Sequence, residues 1–204
     1  MSTNAGRKRT ESPVVRGIIV VVALAALMWV VEVIDQVLDG RLDRNGILPR
    51  EAEGLDGVVW APFLHADFQH LIGNTVPFLV LGFAIAFSGV ARVILVTVIV
   101  AVVGGLGTWL IAPENTVHIG ASGIVFGFAG YLVARGVFSR SPTQLLLGVV
   151  VVVVWGATLL QGLVPEEGIS WQGHLFGAVG GVVAARVLSR RTSSTPSQLD
   201  MAPW

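Results

Sequence analysis

Val93–Ala112 reads VILVTVIVAVVGGLGTWLIA, an uncharged run of twenty residues. A helix rises about 1.5 Å per residue, so this run crosses the roughly 30 Å hydrocarbon core of a bilayer. Working outward, five further blocks approach or reach that length. They are Gly17–Val31 (extendable to Val37), Leu71–Phe87 (broken by Asn74), Ile119–Ala134, Leu145–Leu160, and Leu175–Ala185 (extendable back to Trp171 and forward to Leu188). Valine favours strands in water. In lipid, however, every backbone polar group must find an internal partner, and only helices or closed barrels achieve that. The alternation of a barrel strand is absent. The expectation is an all-α membrane protein with six transmembrane helices over residues 15–190. Cytoplasmic tails flank it, 1–14 at the front and a disordered 191–204 behind.

Composition points the same way. Of 204 residues, 53% are apolar and only 13% charged, and the mean hydropathy is +0.77. Ordinary soluble domains carry about 25% charged residues, so this chain lacks the charge to coat a water-facing surface or to stay disordered. The absence of cysteine excludes disulfides, thiolate zinc sites and cysteine nucleophiles. Thirteen basic residues balance thirteen acidic ones, and no basic stripe is present, which argues against a nucleic-acid partner. Arg7, Lys8 and Arg9 before the first block would suit a signal peptide, but Glu32 to Gly40 lack the small-residue cleavage pattern.

Six spans bring both ends to one side, and the loops then sort by charge. Arg7, Lys8, Arg9, Arg16, Arg92, Arg135, Arg140, Arg186, Arg190 and Arg191 fall together, while only Arg41, Arg44 and Arg50 fall opposite. The positive-inside rule therefore predicts cytoplasmic termini. The protein is expected in the plasma membrane of a bacterium, and its twelve arginines to one lysine suit a GC-rich genome. The long outer segment 39–63, with Gly46, Pro49 and Gly54, is expected to form a compact loop.

Polar side chains inside lipid are costly and are functional candidates by default. His65, His70, His118 and His174 all fall toward the outer side. His70 and Asn74, four apart, share one helix face and can donate into one space; a plain helix-end pair would look the same. Gly120-Ala121-Ser122-Gly123 opens the fourth span, where Ser122 could be a nucleophile or merely a cap. Backbone N–H groups at a helix start suit a developing oxyanion. Gly173-His174 opens the sixth span, and Gly173, Gly177 and Gly181 recur every fourth residue. Such a ridge lets helices approach closely, and Gly123 and Gly127 give the fourth span a matching stripe. If the stripes meet, Ser122 and His174 come together. A neutral imidazole can then take the serine proton, while His70, Asn74 and the Ser122 N–H stabilise the oxyanion. No carboxylate stands ready as a third member, since Asp67 lies in the loop before the second span, so a Ser–His dyad is expected.

Taken together, His70-Leu71-Ile72-Gly73-Asn74, Gly120-Ala121-Ser122-Gly123 and Gly173-His174-Leu175-Phe176-Gly177 resemble the rhomboid family of intramembrane serine proteases. The resemblance implies a six-helix rhomboid-like bundle with Ser122 as nucleophile and His174 as general base. It implies an oxyanion hole from His70, Asn74 and the Ser122 backbone, with Gly120 giving room beside it. Phe126 would stand where the family usually has a tyrosine supporting the catalytic histidine. His65 would match a histidine that helps hold the outer loop. The implied substrates are single-span membrane proteins, cut near the outer membrane face at small side chains. No metal or organic cofactor is called for; His65, His70 and His174 have no Asp or Glu beside them on the spans. Two family features are missing. No tryptophan precedes Arg41, Arg44 or Arg50, and Ser88-Gly89 followed by Arg92 replaces a Glu-Arg pair after the second span. Those departures concern loop anchoring. The competing reading is a catalytically inactive member of the fold that binds membrane proteins. A small transporter would need polar residues along a whole path, which the third and fifth spans lack.

Overall fold

The computed structural model describes residues 11–189. The expected tail at 191–204 and most of 1–14 lie outside them. Seven α-helices order the described residues: α1 Pro13–Val37, α2 Gly57–Trp60, α3 Phe68–Ala86, α4 Val90–Ile111, α5 Ser122–Ser139, α6 Pro142–Gln161 and α7 Trp171–Ser189. No strand is present among the described residues. The molecule is an all-helical membrane bundle.

Local chemistry sets the helix starts. Ser12 caps α1 by accepting the Val15 N–H at 3.2 Å, with Pro13 fixed at the first helical position. The Asp67 carboxylate caps α3 through the His70 N–H at 2.7 Å. One expected boundary moves. Ile119–Ala121 are not helical, because Gly120 takes φ +110° and Gly120 N–H bonds to Ala61 O at 2.8 Å. The apolar run therefore starts three residues before its helix, and α5 begins on Ser122 itself.

α1, α3, α4, α5 and α6 are each long and apolar enough to cross a membrane. The sixth long helix, α7, matches them in length but not in apolar character, since Gln172, His174 and its glycines dilute it. It compensates by position. α7 packs mainly on α5 and α4, in the interior of the bundle, where lipid-grade hydropathy is not required. α1 leans on α3 and α4, while α6 rests substantially on α5 alone. Phe78 of α3 stacks on Phe128 of α5 at 5.4 Å, beside buried Leu81, Ile85, Val96, Val100 and Tyr131.

The two ends of the bundle differ in charge. Arg92, Arg135, Arg140 and Arg186 lie where α4 and α6 begin and α5 and α7 end, and Arg92 donates to Leu188 O at 3.2 Å. At the other end, here the upper one, α3, α5 and α7 begin and all four histidines gather.

Segment 38–63 forms the expected compact loop, built from three 3-10 turns and α2. Its Ile47 makes a two-bond antiparallel bridge with His118, both bonds 3.0 Å. The missing Trp-Arg pair has a replacement assembled from two segments. Arg50 donates to Leu110 O and Ala112 O at 3.1 and 2.8 Å and pairs with Glu114 at 3.0 Å, while Trp109 Nε1 donates to Glu51 O at 2.8 Å. Arg50 thus covers carbonyls that the end of α4 leaves without helical partners.

Candidate active site

Helix packing positions the pair. A Cβ added at Gly177 or Gly181 would strike the Gly123 or Gly127 carbonyl, and one at Gly130 would come within 2.7 Å of Ala178 O. With no side chains between them, α5 and α7 touch backbone to backbone. Their first turns then lie at one level, and Ser122 Oγ meets His174 Nε2 at 2.8 Å. The glycine stripes do converge. The capping reading of Ser122 does not hold, because its side chain caps nothing and goes to the histidine.

The rest of the imidazole is also held. Phe126, one turn after Ser122, stacks on the His174 ring at 4.1 Å with a 5° interplanar angle. A ring without a hydroxyl is enough for that contact. His174 Nδ1 lies 2.7 Å from Gly162 O, at the end of α6. Gly123 and Gly173 sit against each other beside the pair, a Cβ at Gly123 falling 3.3 Å from Gly173 O.

His70 and Asn74 face the same spot. A Cβ at Gly120 would lie 2.8 Å from His70 Nε2 and 3.7 Å from Asn74 Nδ2. Glycine at 120 is needed twice over, for its positive φ and for this space. Asn74 uses one N–H on His70 O at 3.1 Å, and its amide carries a second. The Ser122 N–H heads a helix and has no intrahelical partner of its own. His70 and Asn74 line one cleft of about 1010 Å³ together with Ser122, Phe126, His174, Trp155 and Gly162.

His65 is held at the end of the outer loop and reaches the turn before α5. It is fully buried, its ring meets His70 edge-on at 5.1 Å, and its Nε2 accepts the Ala121 N–H at 3.3 Å. It steadies the turn that delivers Ser122. Burial, with His70 beside it, pushes its pKa down to about 4, so the ring stays neutral and can accept.

Several partnerships have no signature in the sequence. His118 joins two loops across the cleft. Thr116 spends its single hydroxyl proton on Pro113 O at 2.6 Å, so at 2.9 Å it can only accept from His118 Nε2–H. His118 Nδ1 then accepts from the Ser170 hydroxyl at 2.7 Å. Burial holds the His118 imidazole below its ordinary pKa. Away from the pair, Glu32 and Asp35 are buried at the upper end of α1, where Asp35 accepts the Leu42 N–H at 2.7 Å. Burial and these two carboxylates push Asp43 up to about 6. Their only sequence signal was two acids inside an apolar helix. Among the described residues no cluster suits a metal ion.

Comparisons with known proteins bear on the family of the chain. The rhomboid domain matches residues 53–191. An uncharacterized protein of Mycobacterium tuberculosis is 47% identical over 178 residues, covering 83% of this chain and 74% of that one. Another from Mycobacterium leprae is 44% identical over 182 residues, 85% and 72% of the two chains. A Bacillus subtilis protein, YdcA, provisionally named a rhomboid protease, is 29% identical over 119 residues, 58% and 59% of the two. Carrying the rhomboid domain over most of its length, the chain belongs to the rhomboid family.

Proposed function

We propose that the protein is an intramembrane serine endopeptidase that hydrolyses transmembrane segments of single-span proteins. The observation that carries this reading is the 2.8 Å contact between Ser122 Oγ and His174 Nε2, held by two helices in backbone contact within a membrane bundle. The charge asymmetry of the two ends supports a site facing outward from the plasma membrane, with cytoplasmic termini.

In the reaction, Ser122 attacks the scissile carbonyl carbon as His174 Nε2 takes the hydroxyl proton. Negative charge collects on the carbonyl oxygen, where His70, Asn74 and the Ser122 N–H donate to it. The peptide C–N bond breaks, and His174 hands its proton to the leaving amine. Water then attacks the acyl-serine, again with His174 as base, and frees the carboxylate. No metal or cofactor has a part in these steps.

Access and selectivity have supports too. The cleft is walled by Gly73, Asn74 and Pro77 of α3 and by Trp155, Thr158 and Leu159 of α6. Substrate enters laterally between these helices, already unwound where its carbonyl must be reached. A cavity of about 50 Å³, lined in part by Gly104, Thr108, Gly120 and Gly173, lies beside Ser122 and has room for a small side chain.

The test is cleavage of a fluorogenic transmembrane substrate by purified protein. Wild type is expected to cleave it, and Ser122→Ala and His174→Ala to lose at least about 1,000-fold in rate. Equal cleavage by wild type and Ser122→Ala would exclude the serine mechanism and favour the binding-factor reading.

A further inference from the structure

We infer that the backbone carbonyl of Gly162 is the third member of the catalytic array, a positioning group that fixes the tautomer and angle of His174. This rests on the protease reading above. A carbonyl can only accept, so its 2.7 Å contact requires the proton of His174 to sit on Nδ1. In a neutral ring Nε2 is then bare, and it faces the Ser122 hydroxyl at 2.8 Å. The other tautomer would aim a proton at the group that has to be deprotonated. When the ring gains the serine proton, its charged Nδ1–H donates more strongly to the same oxygen.

The acceptor comes from a helix end. The last carbonyls of a helix lack intrahelical partners and carry its partial negative charge. Gly162 follows the last residue of α6, its N–H bonded to Thr158 O at 3.0 Å. Backbone conformation does not demand glycine there, since φ is −66°. Space does. A Cβ would fall 2.6 Å from Phe126 Cζ and 3.0 Å from His174 Nδ1. The position therefore touches both the base and the ring stacked on it. No acidic residue is needed where a carboxylate would otherwise orient the histidine.

The test weakens this carbonyl without adding bulk. Replacing the Leu163 amide by an ester, with leucic acid at 163, makes Gly162 O a poorer acceptor and deletes the Leu163 N–H bond to Leu160 O. The control is the same change at Val164, which deletes the matching bond to Gln161 O. Full-length protein labelled with [15N]histidine in nanodiscs has four imidazoles, and His174 is assigned by its loss in His174→Gln. Wild type is expected to show His174 protonated at Nδ1 and bare at Nε2. The Leu163 ester should move the Nδ1–H resonance upfield and lower kcat about tenfold with KM unchanged, the pattern of a lost transition-state interaction. The Val164 ester should do neither. Gly162→Ala should lower kcat by about 100-fold, the scale of a displaced catalytic group. A His174 resonance indifferent to the Leu163 ester, or a ring protonated at Nε2, overturns the assignment. If wild type cleaves nothing, the protease reading falls, while the resonance still decides whether Gly162 holds the ring.

Discussion

Both α6 and α7 pack on α5, and they do so in unlike ways. α7 presents Gly177 and Gly181, both buried, and lies backbone to backbone on its neighbour. α6 buries only Gly148 and Val151. In its most apolar window 11% of residues are buried, against 50% for α5, which leaves a valine-rich face for lipid. The difference separates two tasks. Groups that must meet within a fraction of an ångström ride on helices that cannot move apart without breaking many contacts. The helix beside the cleft is held lightly and contributes one carbonyl from its end.

The contrast breaks most visibly at Gly177. A Cβ there collides with the Gly123 backbone, and no flexible side chain can yield. Gly177→Val is expected to cost more than about 3 kcal/mol by overpacking and to abolish Ser122-dependent cleavage. Thermal unfolding followed by tryptophan fluorescence checks it, and a parental transition would refute the close-packed pair.

Next in size is the turn that feeds α5. His65 has a pKa near 4 in the fold against 6.5 in the unfolded chain. Its neutral form is favoured by folding, so its contribution is complete above pH 6.5 and drains away as pH falls toward 4. About 3 kcal/mol is at stake over that window, at roughly 1.4 kcal/mol per pH unit. His65→Gln should flatten the acid-side slope of stability between pH 6.5 and 4.5. A slope identical to that of wild type would show that another group sets it.

Arg50 sharpens the comparison from the loop side, since it ties segment 38–63 to the upper end of α4. Its ion pair with Glu114 is exposed and worth little; its two carbonyl bonds matter more. Arg50→Ala should cost about 1–2 kcal/mol, whereas Glu114→Ala should cost much less. Equal losses in the two variants would reverse that ranking. The smallest effect is expected on α6. Val153 is 77% exposed, and Val153→Ala should shift stability by less than about 0.5 kcal/mol. A larger loss would mean that α6 is more firmly packed than its burial indicates.

Much of this was legible in the residues because the decisive features are local and periodic. Apolar length marks the spans, and a fourfold glycine spacing marks the faces that touch. Ser122 and His174 could be paired because each opens a helix bearing such a face. That His70 and Asn74 face one spot was legible from their four-residue spacing on α3. What stayed hidden depends on backbone atoms or on partners distant in sequence. A carbonyl such as that of Gly162 has no residue signature. The Arg50–Trp109 anchor joins segments 59 residues apart and so does not look like a Trp-Arg pair. The start of α5 shifted because Ile119 is as apolar as a helix residue but serves a turn that Gly120 allows.

The most direct test of the central claim is fluorophosphonate labelling of the folded protein, with the modified residue located by peptide mass spectrometry. Ser122 should carry the label in wild type and lose it in His174→Ala and after heat denaturation. Equal labelling of Ser122 in His174→Ala, or an unlabelled Ser122 in protein whose tryptophan fluorescence reports a native fold, would contradict a serine activated by that histidine.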